Sequence, residues 1–513
     1  MNGAESLIHT AKACGVKVCF ANPGTTEMPL VAALDATDAI RPVLALFEGV
    51  CSGAADGYAR MTDSPAMTLL HLGPGFANSI ANFHNARRAR SAVFNVIGDH
   101  AQWHLEFDAP LTTDIESLAR PVSGWLRKSG SAKSIAADTA QAIAAAGRYP
   151  GKIATLIAPS NCQWDASDGP AKMIEPARLV PAEHAAITRA ANLLGKAAGA
   201  VLFLGGQALR ARGLKAAARI AAKTGCALMC ETFPARMERG PEYPFVPRLP
   251  YFPEQALEAM APFKSVVIAG APKPVAFFGY PDLPSILIPE THAVEILAEP
   301  ERDVCAALED LADLLGAGAP AKIAPIDKPE RPSGVLSGPK IGAVLASLIP
   351  ENAIFMDEGA TNGFSAFAPS AGARPHTYLS LTGGAIGQGL PCATGAAVAC
   401  PDRRVVALQA DGGGMYTLQA LWTNAREGLN VTSIICNNRA YRILQVELAR
   451  AGINEPGRQA KALTSLDHPE INWSELARGM GVPSMRVDSA EDLHRELGRA
   501  LAEPGPNLIE MLM

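Results

Sequence analysis

The chain reads as α/β, built from three doubly wound domains whose sheets are mainly parallel. Its 513 residues are about three times a typical domain of roughly 150. Short apolar strands followed by helix-like periodicity recur along the whole length, the pattern of parallel strands joined by crossover helices. Residues 316–339, with prolines at 320, 325, 329, 332 and 339, form the clearest linker, and residues 163–181, rich in Asp, Pro and small residues, form a second. The expected domains are therefore 1–165, 185–318 and 335–513.

In the first block, strands are expected near 16–21, 43–47, 67–71 and 93–97, separated by stretches such as 53–61 and 78–88 that are long enough for crossover helices, and 153–157 completes the sheet. The second block starts at about Ala185. Its apolar run 201–204 ends in Gly205-Gly206, read as a strand-end turn, and its run 266–268 ends in Gly270-Ala271-Pro272. Between them, residues 233–253 are dense in proline and aromatics and are expected to form an irregular surface. The third block holds strands at 405–409 and 432–436, with a helix over 418–427 stopped by Gly428, a complete βαβ unit.

Apolar residues make up 48% of the chain and charged residues 19%, a balance that implies extensive burial, subunit interfaces included. The net charge of −5, with Lys and Arg scattered, excludes a basic groove for nucleic acid. Ten cysteines run from Cys14 to Cys436, and the closest pairs, Cys14/Cys19 and Cys226/Cys230, lack the two-residue spacing of zinc or redox motifs. Reduced thiols in a cytoplasmic protein are expected. The start, Met1-Asn2-Gly3-Ala4-Glu5, lacks the basic region and apolar run of a signal peptide, and no apolar run reaches the roughly 18 residues of a membrane span.

Asp411-Gly412-Gly413-Gly414 falls where one strand gives way to a helix, and Asn437-Asn438 falls at the end of the next strand, so both open at the same sheet edge, where α/β proteins bind ligands. Glycines let backbone approach a diphosphate, while a carboxylate and an amide oxygen are hard ligands suited to Mg²⁺. Asn438 follows Asp411 by 27 residues. That pattern resembles the signature of thiamine-diphosphate-dependent enzymes, in the superfamily of acetohydroxyacid synthase, benzoylformate decarboxylase and pyruvate decarboxylase. The resemblance implies Asp411, Asn438 and the Ala440 carbonyl as magnesium ligands, and Gly412, Gly413 and Tyr441 against the cofactor. Ala410 departs from it, since glycine is common there. Asp357-Glu358-Gly359-Ala360-Thr361-Asn362 resembles the segment that helps bind the diphosphate, through Ala360 and Thr361. Residues 383–391, containing Gly384 and Ile386, resemble the stretch after it, with Ile386 at the bulky apolar position that bends the cofactor.

Thiamine chemistry also needs a buried carboxylate on the aminopyrimidine. Glu48 fits: it ends the apolar strand 43–47 and precedes Gly53-Ala54-Ala55-Asp56-Gly57-Tyr58-Ala59-Arg60, which resembles the helix after the family's catalytic glutamate. An apolar wall beside it would favour sharing a proton with the pyrimidine. The run Asn22-Pro23-Gly24-Thr25-Thr26-Glu27-Met28-Pro29 resembles benzoylformate decarboxylase, with a hydroxyl residue at Thr25 and a glutamate at Glu27. Thr25 is the candidate to bind a substrate carboxylate, and His71, at a strand end before Leu72-Gly73-Pro74-Gly75, the candidate to move protons near neutral pH.

By this resemblance the first domain holds the pyrimidine, the third holds the diphosphate and metal, and active sites form between subunits of a homodimer or homotetramer. The implied reaction is decarboxylation of a small-molecule 2-oxo acid as in benzoylformate decarboxylase. The match is incomplete, because counting from Gly270-Ala271-Pro272 places Phe277 where that family's second histidine stands. The alternative is an acetolactate-synthase-like carboligase, suggested by Gly73-Pro74-Gly75 but lacking those enzymes' amino-terminal extension and their usual phenylalanine-glutamine pattern at residues 105–108. An inactive cofactor-binding subunit is the third reading, opposed by the retention of Glu48 and both metal side chains. Phe277, Phe278, Ile386, Tyr441, Ile443 and Leu444 suggest an apolar cavity, with Arg439 and Arg442 near the metal motif.

Overall fold

The computed structural model describes residues 1–175, 177, 179–196, 199–319 and 330–513. Of the two expected linkers, 320–329 in one and 176 and 178 in the other lie outside the described residues.

Among the described residues, three sheets carry the fold. The first has six parallel strands in the order Arg41–Leu44, Val18–Asn22, Ala66–His71, Val93–Asp99, Ile153–Pro159, Trp125–Lys128. Val93–Asp99 and Ile153–Pro159 are buried at every position, as continuous apolar runs in a doubly covered sheet should be. The second sheet orders Ala293–Ala298, Ser265–Ala269, Ala200–Leu204 and Ala227–Cys230, all parallel.

The third sheet runs Ser484–Val487, Asn507–Leu512, Val431–Asn437, Val405–Ala410, Ile354–Glu358, His376–Ser380 and, at its edge, Arg236–Arg239. Only this last strand is antiparallel, and it corrects the expectation of an irregular surface over 233–253. Pairing Met237 with Tyr378 buries the methionine in the core beside the tyrosine and covers an edge that would otherwise stand open.

Each sheet has a point where successive strands are added on opposite sides, and the crevice outside the carboxyl ends of the two strands there is where such folds bind ligands. In the first sheet those strands end at Asn22 and His71; in the third, at Glu358 and at Ala410, just before Asp411. In the second, Gly205 packs on Gly270 and Ala271, and the Gly206 N–H, at φ +49°, is taken by Glu231 at 3.2 Å. Gly205-Gly206 is thus a filled strand-end turn.

The first and third sheets meet through two small-residue helices, Glu48–Thr62 and Gly389–Ala399. Every residue from Glu48 to Met61 is buried, which requires Gly, Ala, Ser and Cys on all faces. A Cβ at Gly57 would overlap the Cys392 carbonyl, and one at Gly395 the Ala54 carbonyl, so the backbones touch. Inside this contact Arg60 clasps Asp56 through Nε at 2.8 Å and Nη2 at 2.7 Å, then donates to Ala235 O, Ser380 O and Thr382 Oγ1. Every charge is paired and hydrogen-bonded, the condition under which a buried ion pair is tolerable. No helix among the described residues is long and apolar enough to cross a membrane.

Candidate active site

Glu48 opens its helix rather than closing a strand. The strand stops at Leu44, Phe47 is the extended residue before the first turn, and Glu48 is that turn's acid, where the helix dipole favours negative charge. Its carboxylate is buried; Oε1 accepts from Asn22 Nδ2 at 3.1 Å and Oε2 from Asn78 Nδ2 at 2.9 Å. Asn22 comes from the end of Val18–Asn22 and Asn78 from the helix Leu72–Ala89. A Cβ placed on Gly75 would lie 3.2 Å from Glu48 Oε1 and 3.4 Å from His71 Cβ, so one glycine separates the two candidate groups.

His71 Nδ1 lies 2.8 Å from Glu27 Oε2 and 3.2 Å from Thr26 Oγ1. Glu27 is fully buried and also accepts from Gly24 N–H at 2.8 Å and Thr26 Oγ1 at 2.5 Å. Glycines make room for this pair: a Cβ at Gly98 would overlap the Glu27 carboxylate, and one at Gly24 the imidazole. A carboxylate on Nδ1 fixes that nitrogen as the proton carrier and leaves Nε2 to exchange protons. The next residue, Leu72, sits at φ +51°, a costly conformation for a bulky side chain. Thr25 is exposed and is not brought to this pair; Thr26 is.

In the third sheet Asp411 begins a short helical turn, buried, with Oδ1 accepting from Gly412 N–H at 2.8 Å and Oδ2 from Arg439 N–H at 2.7 Å. Arg439 reaches it because its φ is +56°. Asn438 Oδ1 accepts from Ala440 N–H at 3.0 Å, which gathers Asp411, Asn438 and Ala440 in one corner. Burial pushes the Asp411 carboxyl upward, and among the described residues no Lys or Arg forms an ion pair with it. A buried carboxylate beside an amide oxygen and a carbonyl, without a protein cation, suits a hard divalent ion. Tyr441 lies over Gly412, where any Cβ would strike its ring, and Ile386 stands 3.7 Å from the Cβ position of Gly413. Ala360, exposed at φ +48°, and Thr361 follow Ile354–Glu358 at the same strand ends.

The loop carrying Ile386 is tied to the helix Leu72–Ala89 by several hydrogen bonds. Asn85 donates to Ala385 O at 2.7 Å and accepts from Ala385 N–H at 3.2 Å, His84 Nε2 meets Gly383 O at 3.1 Å, and Asn82 reaches both Gly49 O and Gly387 O. The helix that supplies Asn78 to Glu48 therefore also positions this loop. Gly384, at φ +79°, lies under Phe277, whose ring meets Phe233, Tyr251 and Phe278 with centroids 5.2–5.7 Å apart. Arg439 donates to Met513 O and Arg442 to Gln445, both exposed.

Sequence reasoning passed over Glu27 as a site residue, although it stands in the quoted opening run, and it also passed over Glu358. Glu358 is 4% exposed and accepts N–H groups from Gly387 at 2.6 Å and from Gly389; burial pushes its carboxyl up to about 7.

A buried carboxylate corner at one sheet edge and a helix-start glutamate held by amides at another are the features that the comparisons place in a thiamine-cofactor enzyme. The N-terminal TPP binding domain of thiamine pyrophosphate enzymes matches residues 1–118 and their C-terminal TPP binding domain residues 359–511. The chain is 48% identical over its whole length to a Mycobacterium tuberculosis H37Rv protein, IlvX, provisionally named an acetolactate synthase large subunit, and covers 99% of it. It is 27% identical to benzoylformate decarboxylase of Pseudomonas aeruginosa, over 97% of this chain and 96% of that one. Among solved structures, a Rhodococcus jostii RHA1 thiamine-diphosphate-dependent 4-hydroxybenzoylformate decarboxylase superposes with a TM-score of 0.87 at 24% identity, over 100% of this chain and 99% of the other, which speaks to the fold. The chain belongs to the thiamine pyrophosphate enzyme family.

Proposed function

We propose that this enzyme decarboxylates a 2-oxo acid with thiamine diphosphate and Mg²⁺. The observation that carries the reading is the pairing of Glu48 with His71 across Gly75: a fixed carboxylate and an imidazole oriented by buried Glu27 share one sheet edge. When bound, thiamine diphosphate supplies an electron sink for the carboxyl carbon bond. Asp411, Asn438 and the Ala440 carbonyl would hold the metal; Gly412, Gly413, Ala360, Thr361 and Gly384 would let backbone approach the cofactor; Tyr441 and Ile386 would flank it. Glu48 would hold the aminopyrimidine proton, His71 Nε2 would exchange a proton with substrate, and Thr25, at the exposed rim, would meet the substrate carboxylate.

A second reading, carboligation in the manner of acetolactate synthase, is favoured by the 48% identity to the M. tuberculosis relative and by Phe277, which has no proton to give where a second histidine would act. Both readings place the site between subunits of a homodimer or homotetramer. Exposed apolar side chains support this: Met28 and Leu46 flank one half-site, and Phe364, Tyr416 and Leu444 the other. Product identity decides. Protein reconstituted with cofactor and Mg²⁺ is expected to release CO₂ and an aldehyde from one of a panel of pyruvate, branched and aryl 2-oxo acids. A hydroxyketone or acetohydroxy acid would instead establish the carboligase, and no turnover with no Mg²⁺-dependent cofactor binding would overturn both.

A further inference from the structure

Resting on that reading of residues 383–389 as the cofactor-bending loop, we propose that Glu358 is a positioning residue that ties this loop to the Asp411 turn, so that Ile386 and the metal corner are set as one unit. Glu358 ends Ile354–Glu358 beside the crevice between that strand and Val405–Ala410. Its Oε1 accepts the Gly387 N–H at 2.6 Å and its Oε2 the Gly389 N–H, so the two bonds bracket Gln388 and hold the segment just after Ile386. Gln409 extends the tether once its amide is assigned by its hydrogen-bond partners: in the orientation that satisfies both neighbours, its nitrogen donates to Glu358 Oε2 at 3.3 Å and its oxygen accepts the Gly414 N–H at 3.1 Å, inside the turn that Asp411 opens.

The geometry leaves little room for any other role. The carboxylate is buried beneath the Cβ positions of Gly389 and Gly413 and, among the described residues, makes no ion pair, so it has no charge partner to serve. A carboxylate costs much to bury, and a purely structural position would be better filled by an amide or an apolar group. What only an ionised carboxylate provides, the form Glu358 takes above about pH 7, is two acceptor oxygens for two N–H groups that diverge from one loop. Gly387 needs that help, because its φ of +94° turns its N–H inward while its carbonyl is held from the other side by Asn82 and Thr417.

Amide hydrogen exchange on the cofactor-free protein tests the tether, and calorimetric titration of thiamine diphosphate in Mg²⁺ with circular dichroism of the bound aminopyrimidine tests its use. Glu358→Gln puts an NH₂ against a glycine N–H; exchange at 383–389 is expected to quicken about tenfold or more. With cofactor bound, the dichroic band should fall by at least about half and kcat by about 10²-fold, with the KM for the 2-oxo acid within about threefold, the mark of misplacement rather than lost substrate binding. Glu358→Asp, which keeps both acceptors on a shorter arm, should recover part of each. Gln409→Met should loosen 411–415 instead and weaken cofactor binding about tenfold.

The proposal is overturned if Glu358→Gln leaves 383–389 as protected as in the wild type, or if the loop loosens while dichroism and kcat stay unchanged. Should Glu358→Gln not fold, unchanged exchange at 411–415 and unchanged cofactor affinity in Gln409→Met overturn it equally. Wild-type protein that binds no thiamine diphosphate would overturn the functional reading instead, and the exchange data from cofactor-free protein distinguish that failure from a missing tether.

Discussion

Both oxygens of Glu48 are held by side-chain amides, so its orientation is set before any ligand arrives. Glu48→Gln is expected to lower kcat about 10²–10⁴-fold while calorimetry finds thiamine diphosphate affinity within about threefold, the pattern of a lost proton-transfer group. For His71 the partner matters as much as the ring. His71→Ala is expected to cost about 10²-fold in kcat, and Glu27→Gln, which leaves the imidazole unoriented, at least about tenfold, with aldehyde formation followed directly. Two other buried groups tilt stability with pH in opposite senses. Burial pushes the His376 imidazole down to about 4, below its unfolded value of about 6.5, so its contribution is complete above that window and is lost as pH falls through it. Glu358, pushed up to about 7, is still protonated in the folded chain where the unfolded chain has ionised, so stability declines as pH rises from about 4.5 to 7. Each limb is on the order of 3 kcal/mol. Because the two windows overlap, melting followed from pH 4 to 8 should be nearly flat between about 4.5 and 6.5, and His376→Leu should expose a steady fall in stability as pH rises toward 7.

At the scale of elements, the contact between Glu48–Thr62 and Gly389–Ala399 is the most demanding in the molecule. Because Gly57 and Gly395 each face a carbonyl with no space for a methyl group, Gly395→Ala must push one helix off the other. The expected cost is about 1–3 kcal/mol, read as a lower melting temperature, since a chain with several sheets need not unfold in one step. Activity should fall with it, because Glu48 starts one helix and the Ile386 loop leads into the other. Strained backbone marks the same region: Leu72, Ala360 and Arg439 hold positive φ at strand ends in the two half-sites. Such conformations persist only where surrounding bonds over-determine them, as the Arg439 N–H bond to Asp411 does.

For the whole molecule, the pattern of exposed apolar side chains is the guide. Trp103 and Phe107, on the turn Gln102–Phe107, are 64% and 66% exposed, beyond Leu46 and Met28 near the first half-site. A second copy covering them is what the proposed shared site calls for. Sedimentation is expected to show a dimer or tetramer. Leu46→Glu with Phe107→Glu should shift it toward monomer, and turnover per chain should then depend on protein concentration; a monomeric wild type with full activity would contradict the shared site.

What the amino-acid sequence determined by itself is whatever rests on neighbours along the chain. The α/β class, the strand end at His71, the ends at Ala410 and Asn437 to within one residue, and the small-residue stretch after Glu48 follow from apolar periodicity and glycine placement, which act over a few residues. Tertiary structure alone decided the pairs that cross long stretches of chain. Glu27 meets His71 across 44 residues and Glu358 meets Gly387 across 29, Thr26 rather than Thr25 turns toward the imidazole, and Arg236–Arg239 leaves its own region to edge the third sheet. Those contacts depend on how sheets and helices stack, and a buried carboxylate looks the same in sequence as a solvated one until packing shows which N–H groups surround it.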